Sequence, residues 1–244
     1  MEISLEQEWV AALALHAEQE APRECCGLLY AHTSGEVEYL PCKNLATDPA
    51  GQFVLDPMDW AMVEDLGEIV AVCHSHPNAS ANPSMADRAM CERSGKPWFI
   101  IGWPSAVIKR VDPSGWQAPL VGREFHHGVL DCYTLIQDYF RITLGITLPD
   151  FEREDGWWER GGNLYRDGFA AAGFVEVNDE PREHDVLLMQ VRADVENHGA
   201  VMLADGKILH HLHSRLSCRD IWGGYWQRHT RAVLRHQQLL GAPA

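Results

Sequence analysis

The sequence predicts two mixed domains, an α/β half with a mixed sheet flanked by helices and then an α+β half, and three observations carry this. Strand-length apolar runs alternate with helical stretches ahead of residue 112. The segment DPSGWQAPLVG, Asp112 to Gly122, carries Pro, Gly and Ser without periodicity. Beyond it, one strongly periodic helix precedes several antiparallel strand candidates. The expected division is a first domain over 1–112, a linker over 113–122 and a second domain over 123–244.

In chain order, Ser4 and Gln7 form a capping box for an amphipathic helix that runs to about Glu20, where Pro22 ends it. Gly27 to Ala31 and Val37 to Leu40 read as a hairpin turned by Ser34-Gly35. Pro57 to Leu66 is helical, Ile69 to Cys73 is a buried strand, and Ser84 caps a helix to Arg93. Trp98 to Gly102 and Ala106 to Val111 close the first half as a strand pair. The second half opens with a helix over Val129 to Leu144, followed by a looser Trp-, Gly- and Arg-rich stretch from Asp150 to Gly162 and a helix near Leu164 to Ala172. Strands follow at Asp185 to Val191, Ala200 to Leu203 and Lys207 to His213, the last two joined by Ala204-Asp205-Gly206.

Of 244 residues, 46% are hydrophobic and 23% charged, which excludes a disordered, collagenous or coiled-coil chain. Asp and Glu total 35 against 20 Lys and Arg, a net charge of −15. Both halves share the excess, with 7 basic against 17 acidic residues before Gln117 and 13 against 18 from there on. Such a surface repels phosphate, so neither nucleic acid nor an anionic membrane is an expected partner. No apolar run approaches the ~18 residues of a spanning helix. The start, MEISLEQEWV, has no basic stretch leading into an apolar one and reads as lacking a secretory signal. Seven scattered cysteines suit a reducing compartment better than a disulfide scaffold.

His74-Ser75-His76-Pro77 stands at the end of the buried strand, with Ser84 and Asp87 beyond it. Positions i and i+2 of a strand project to one face, so His74 and His76 can turn toward one ion, and Asp87 can swing back from the first turn of its helix. Two imidazoles and a carboxylate suit zinc and leave a fourth position for water. Glu24, in PRECCGLLY, is the candidate general base, and the Ser84 hydroxyl is a candidate donor to a developing oxyanion. Taken singly, a His pair beside Pro is a turn and Ser84 only a cap. The joint spacing resembles the JAMM, or MPN-type, metallo-isopeptidase signature over about residues 1 to 112. That resemblance implies a JAMM-like mixed sheet and cleavage of peptide or isopeptide bonds with zinc.

Asp131-Cys132-Tyr133 opens the periodic helix, whose N-terminus favours a thiolate. His198 and His210 lie twelve residues apart across the Asp-Gly hairpin, which can set their rings side by side. This order resembles the NlpC-type papain-like cysteine peptidases over about residues 118 to 244. It implies a papain-like α+β domain with Cys132, His198 and His210 as its triad. Phe125 stands where that family commonly places an aromatic hydroxyl.

The remaining signals have plainer readings. His211 faces away from His210 and His213, His126 and His127 either shape the turn before Val129 or line the cysteine site, and Cys25 and Cys26 pack at a strand start. The Trp157-Trp158 pair and Trp222, Tyr225 and Trp226 either grip a peptide or glycan or cap a core. The fusion of the two halves in this order resembles a family of assembly proteins of lambda-like phage tail tips. It implies other tail tip proteins as partners, a tail protein or peptidoglycan peptide as substrate, and action in the host cytoplasm or at the virion tail tip. The alternative is an assembly scaffold in which the hydrolase folds act as binding surfaces.

Overall fold

The computed structural model describes Ile3 and residues 8–241, which fall into two compact units, Met1–Gln117 and Ala118–Ala244. The Ser4 and Gln7 capping box lies outside the described residues. Helix α1, Trp9–Glu20, is followed by strands β1, Cys26–Ala31, and β2, Val37–Cys42. Helix α2, Pro57–Leu66, leads to β3, Glu68–Pro77, and helix α3, Met85–Ser94, leads to β4, Trp98–Trp103, and β5, Val107–Val111. The sheet order is β2-β1-β3-β4-β5, with only the β3 and β4 pair parallel.

Alternation along these strands divides the unit into two cores. Cys25, Leu29, Ala71, Cys73, Phe99 and Ile101 pack with Trp9, Leu13 and Ala17 of α1. Cys26, Leu28, Tyr30, Val72 and Trp98 pack on the other face with Val63 of α2 and Cys91 of α3. Each fully buried apolar side chain contributes about 1.5–3 kcal/mol, so both faces are specified. Strand β3 runs four residues past the apolar stretch that predicts it, because β4 continues the ladder as far as Pro77 opposite Trp103. His74 and His76 therefore follow Val72 onto the α2 and α3 side.

The segment Ser114 to Trp116, in the expected linker, is tied down: the backbone N–H groups of Ser114, Gly115 and Trp116 all donate to the Glu92 carboxylate.

In the second unit, α4 is Cys132–Tyr139 and continues as a π-helical turn over Phe140–Leu144. The helix starts at Cys132 and not at Val129, because Asp131 takes the extended N-cap conformation and closes a capping box with Thr134. After α5, Leu164–Gly168, come β6, Phe174–Val177; β7, Val186–Met189; β8, His198–Met202; β9, Lys207–His210; and β10, Cys218–Ile221. Helix α6, Tyr225–His229, and β11, Thr230–His236, complete the unit. The antiparallel sheet has the order β10-β9-β8-β7-β11-β6.

Leu135 and Ile136 of α4 pack on Val186, Leu188, Val201 and Leu209. Leu187, Met189, Ala200 and Ile208 face the other way, toward Trp222 and Trp226. Strand β9 stops at His210 instead of reaching His213, since the chain turns through Leu212 to Arg215 with Ser214 at φ 59°. Among the described residues, no helix is long and apolar enough to cross a membrane.

Candidate metal centre and candidate cysteine centre

Three donors converge where β3 ends and α3 begins. His74 Nε2 and His76 Nε2 are 3.1 Å apart, His74 Nε2 is 3.1 Å from Asp87 Oδ1, and His76 Nε2 is 3.3 Å from Asp87 Oδ2. Two nitrogen or oxygen ligands on a tetrahedral zinc, with bonds near 2.0–2.1 Å, stand about 3.3 Å apart. The donor set and its spacing thus fit a divalent ion with little rearrangement, and the three side chains are buried or nearly so.

Each donor is held from behind. Phe53 stacks on the His74 ring at 4.7 Å between centroids, and Trp98 meets it edge-on at 5.4 Å. The Ser80 carbonyl lies 2.9 Å from His76 Nδ1, which directs Nε2 toward Asp87. The loop carrying Ser80 can lie this close because Gly102, opposite His76 in β4, has no side chain; a Cβ there would fall 2.9 Å from Ala79 O and Ala81 N. Asp87 Oδ2 accepts from the Ser84 N–H at 2.7 Å while Ser84 Oγ accepts from the Asp87 N–H at 3.0 Å. Ser84 is therefore the N-cap that aims Asp87, and its hydroxyl proton takes no part in the cap.

The charges are arranged for a cation. Burial opposes the ionised form of Asp87, but hydrogen bonds from His74 and His76 outweigh it and hold the carboxyl well below its usual range. Burial lowers His74, against the pull of Asp87. Burial opposes charge on His76 too, yet Asp87, the Ser80 carbonyl and Glu24 together raise it. Glu24 is 7% exposed, and burial pushes its carboxyl up to about 8, with His76 lowering it and Asp87 and Asp48 raising it. Glu24 thus senses both ligands electrostatically, and among the described residues no hydrogen bond joins it to either. Ser75, between the two histidines, ties Cys25 to β3 through paired bonds of 2.8 and 3.0 Å and so fixes the start of β1 beside the site.

In the second unit, His198 Nε2 lies 3.1 Å from His210 Nδ1, as the hairpin spacing predicts. Asp220 Oδ2 lies 3.1 Å from His210 Nε2. Trp226 packs on the His210 ring at 4.5 Å and the His198 ring at 6.2 Å, so the pair sits on the sheet face away from α4. Burial lowers His198 to about 3, helped by His210 and His211; it lowers His210 as well, against Asp220. Burial thus favours the neutral form of both rings.

Cys132 belongs to the α4 face. Its sulfur lies 3.1 Å from the Tyr165 hydroxyl and receives the Gly199 backbone N–H. A Cβ on Gly199 would stand 2.8 Å from Ile136 Cδ1 and 3.2 Å from that hydroxyl, so a larger residue there would displace the end of Ile136 and crowd Tyr165. Among the described residues no hydrogen bond joins Cys132 to His198. The expected lowering of the thiol is also corrected: burial and the Asp131 carboxylate raise it, outweighing Tyr165, Gly199 and Arg153. Of the three expected residues, His198 and His210 are brought together, and Cys132 is bonded to Tyr165 instead.

Tyr165 and Asp220 are polar partners that the sequence reading missed. Tyr165 lies 33 positions after Cys132, on α5, and supplies a hydroxyl where Phe125 has none. Phe125 instead meets His211 and His213 edge-on. Asp220 becomes visible only once β10 is known, since it lies two residues from Cys218 on the same face. The plainer readings correspond to packed residues: His211 is fully buried against Phe125, and Cys25 and Cys26 sit in the two cores of the first unit.

A family profile describing prokaryotic homologs of the JAB domain matches residues 6–117, and one describing the NlpC/P60 family matches residues 122–235. The chain is 40% identical over 242 residues to the tail tip assembly protein K of Escherichia phage N15, covering 98% of this chain and 99% of that protein. It is 41% identical over 184 residues to the tail tip assembly protein K of Escherichia phage lambda, covering 75% of this chain and 89% of that protein. Among solved structures, a JAB1/MPN domain protein from Archaeoglobus fulgidus is 22% identical, with 46% of this chain and 90% of that chain covered at a TM-score of 0.30.

Proposed function

The chain belongs to the tail tip assembly protein K family, joining a JAB-type and an NlpC/P60-type domain, and from that premise we propose that it is a phage tail tip assembly protein with two hydrolase centres, a zinc-dependent peptidase or isopeptidase and a cysteine peptidase. The observation that carries the reading is the near-tetrahedral spacing of His74, His76 and Asp87, with Glu24 coupled to them. Its partners are other tail proteins, and its substrate is a tail protein or a peptidoglycan peptide met in the host cytoplasm or at the tail tip.

His74, His76 and Asp87 would hold the ion, which when bound supplies Lewis acidity to a scissile carbonyl and lowers the pKa of water toward 7. Glu24 then works as the proton carrier. Its carboxyl is buried beside the ligand set, where the charge of a bound ion would favour the carboxylate, so it can accept a proton from the attacking water and return it to the leaving amine. The Ser84 O–H, unused by the helix cap, is the donor to the developing oxyanion in this reading.

In the second centre, Cys132 is the nucleophile, His198 the base and His210 its orienting partner. Asp220 accepts from His210 Nε2–H, His210 Nδ1 accepts from His198 Nε2–H, and the His198 Nδ1 lone pair is left for a thiol proton. Cys132 is bonded to Tyr165 on the α4 face, so the attack requires a rearrangement that brings the thiol to His198.

That missing bond supports a second reading, in which the C-terminal unit is a binding surface for assembly. One experiment separates the two. Zinc-loaded protein is incubated with tail proteins and with peptidoglycan peptides, alongside His76→Ala and Cys132→Ala variants, and each variant is also asked to complement tail assembly. Cleavage lost separately in the two variants supports two centres. Full assembly of infectious tails by both variants, with no cleavage by the parent, establishes the scaffold.

A further inference from the structure

A second group of metal-ligand side chains lies on the β9 and β10 hairpin. Cys218 is directly opposite His210 in the ladder, and Asp220 follows two residues along β10, on the same face. Their ligand atoms lie within 4.8 Å of one another. Cys218 Sγ is 3.6 Å from His210 Nε2, and Asp220 Oδ2 is 3.1 Å from the same nitrogen. On a tetrahedral zinc, with Zn–S near 2.3 Å and Zn–N near 2.0–2.1 Å, a sulfur and a nitrogen stand about 3.5 Å apart, and a nitrogen and an oxygen about 3.3 Å. Both edges are present. His210 is buried while Cys218 and Asp220 are partly exposed, so the pocket has a fixed floor and an open side. Arg215 lies 3.9 Å from both Cys218 Sγ and Asp220 Oδ2 with half of its side chain exposed, a positive charge resting where a cation would.

We propose that His210, Cys218 and Asp220 form a second site, for a thiophilic divalent ion of the zinc class, and that filling it switches the imidazole pair. Without the ion, the Asp220 carboxylate accepts from His210 Nε2–H and His198 Nδ1 carries the lone pair. An ion needs that Nε2 lone pair. The Nε2 proton and the Cys218 thiol proton are then released to solvent, His210 takes the shared proton on Nδ1, and His198 Nε2 accepts it. His198 regains a proton from solvent at Nδ1, so each ring again carries one proton and the base has become a donor. The switching half rests on the reading of His198 as base for Cys132; the site itself does not.

Cobalt(II) is titrated into the full chain carrying His76→Ala, which removes the N-terminal ligand set. A thiolate-to-cobalt charge-transfer absorption is expected, saturating near one ion per chain, lost with Cys218→Ser and retained with Cys132→Ser. Asp220→Asn weakens it by at least about 10–100-fold, and Arg215→Ala tightens it by removing the competing charge. No such absorption, or one that survives Cys218→Ser, overturns the site. Zinc should then slow alkylation of Cys132 by iodoacetamide in the parent and not in Cys218→Ser. Intact absorption with an unchanged Cys132 rate overturns the switch and leaves the site standing.

Discussion

Asp220 Oδ2 stands 3.1 Å from His210 Nε2, and because a carboxylate only accepts, this contact places the protons of two imidazoles. His210 must carry hydrogen on Nε2, so its Nδ1 accepts from His198 at 3.1 Å. An asparagine at 220 can donate as well as accept and removes that constraint. Asp220→Asn is expected to show a second tautomer for both rings by 15N NMR of the imidazoles, and any Cys132-dependent cleavage falls by about 10²–10⁴-fold. Unchanged imidazole shifts would show that Asp220 does not set the pair.

The N-terminal ligand set gives a prediction readable by metal analysis alone. His76→Ala removes one corner of the donor triangle, and with it two of its three edges, leaving the contact between His74 and Asp87. Bound zinc should drop by about one ion per chain, with far-ultraviolet circular dichroism unchanged because His76 is held at the end of β3 and not in either core. Equal zinc content in parent and variant removes the site.

Why this centre was legible in the sequence, and the cysteine centre only in part, follows from where each is built. His74, His76, Ser84 and Asp87 span one strand end and one helix start, so local periodicity and a capping box place them. Glu24 needs only the β1 and β3 pairing to join them. The pairing of His198 and His210 was legible for the same reason, through a hairpin. Cys132 and Tyr165 meet through packing of α4, α5 and β8, which no local pattern encodes. Strands β6, β10 and β11 were not read at all: CRDI and FVEV are four residues long, and TRAVLRH mixes charges into its ends. With β10 unseen, Asp220 and Cys218 had no face.

Glu24 gives the metal-free protein a pH dependence with a definite sign. Burial raises its carboxyl from an ordinary 4.5 to about 8, so between these values the folded chain holds a proton that the unfolded chain has lost. This contribution to stability is fully present below pH 4.5 and is lost as pH rises toward 8. Glu24→Gln cannot ionise and should flatten that decline. In chelator, denaturation at pH 5 and pH 8 is expected to show a parent that loses stability on the order of a few kcal/mol more than the variant. Equal losses would mean that Glu24 is solvated in the absence of an ion.

Tyr165→Phe tests the hydroxyl on Cys132. That hydrogen bond favours the thiolate against burial and the Asp131 charge, so its removal moves the thiol further up. Alkylation of Cys132 by iodoacetamide at pH 8 should slow, with the midpoint of its pH–rate curve displaced upward. The fold should lose about 0.5–1.5 kcal/mol. A faster reaction would mean that Tyr165 shields the sulfur more than it stabilises the anion.

Arg153 is the group on which the start of α4 depends. Its guanidinium makes two bonds to Asp131, of 2.7 and 3.2 Å, with 8% and 3% of the two side chains exposed. The same carboxylate caps α4 through Thr134 N–H and accepts from Gly128 N–H, so it cannot turn outward to find water. Arg153→Ala therefore leaves a buried charge with the Thr134 and Gly128 N–H groups and the Thr134 hydroxyl but no counter-charge, a loss of about 3–5 kcal/mol. Burial opposes ionisation of Asp131, and Arg153 is the largest force holding the carboxyl below its usual value. In the parent this contribution is present above about pH 4 and fades as acid titrates the group. Without Arg153 the carboxyl rises, so acid unfolding should begin at a higher pH as well as from a lower melting temperature. A variant that melts lower but keeps the parent's acid midpoint would assign the loss to packing of the Arg153 stem against Tyr133, whose ring lies 5.2 Å from the guanidinium, and not to the charge.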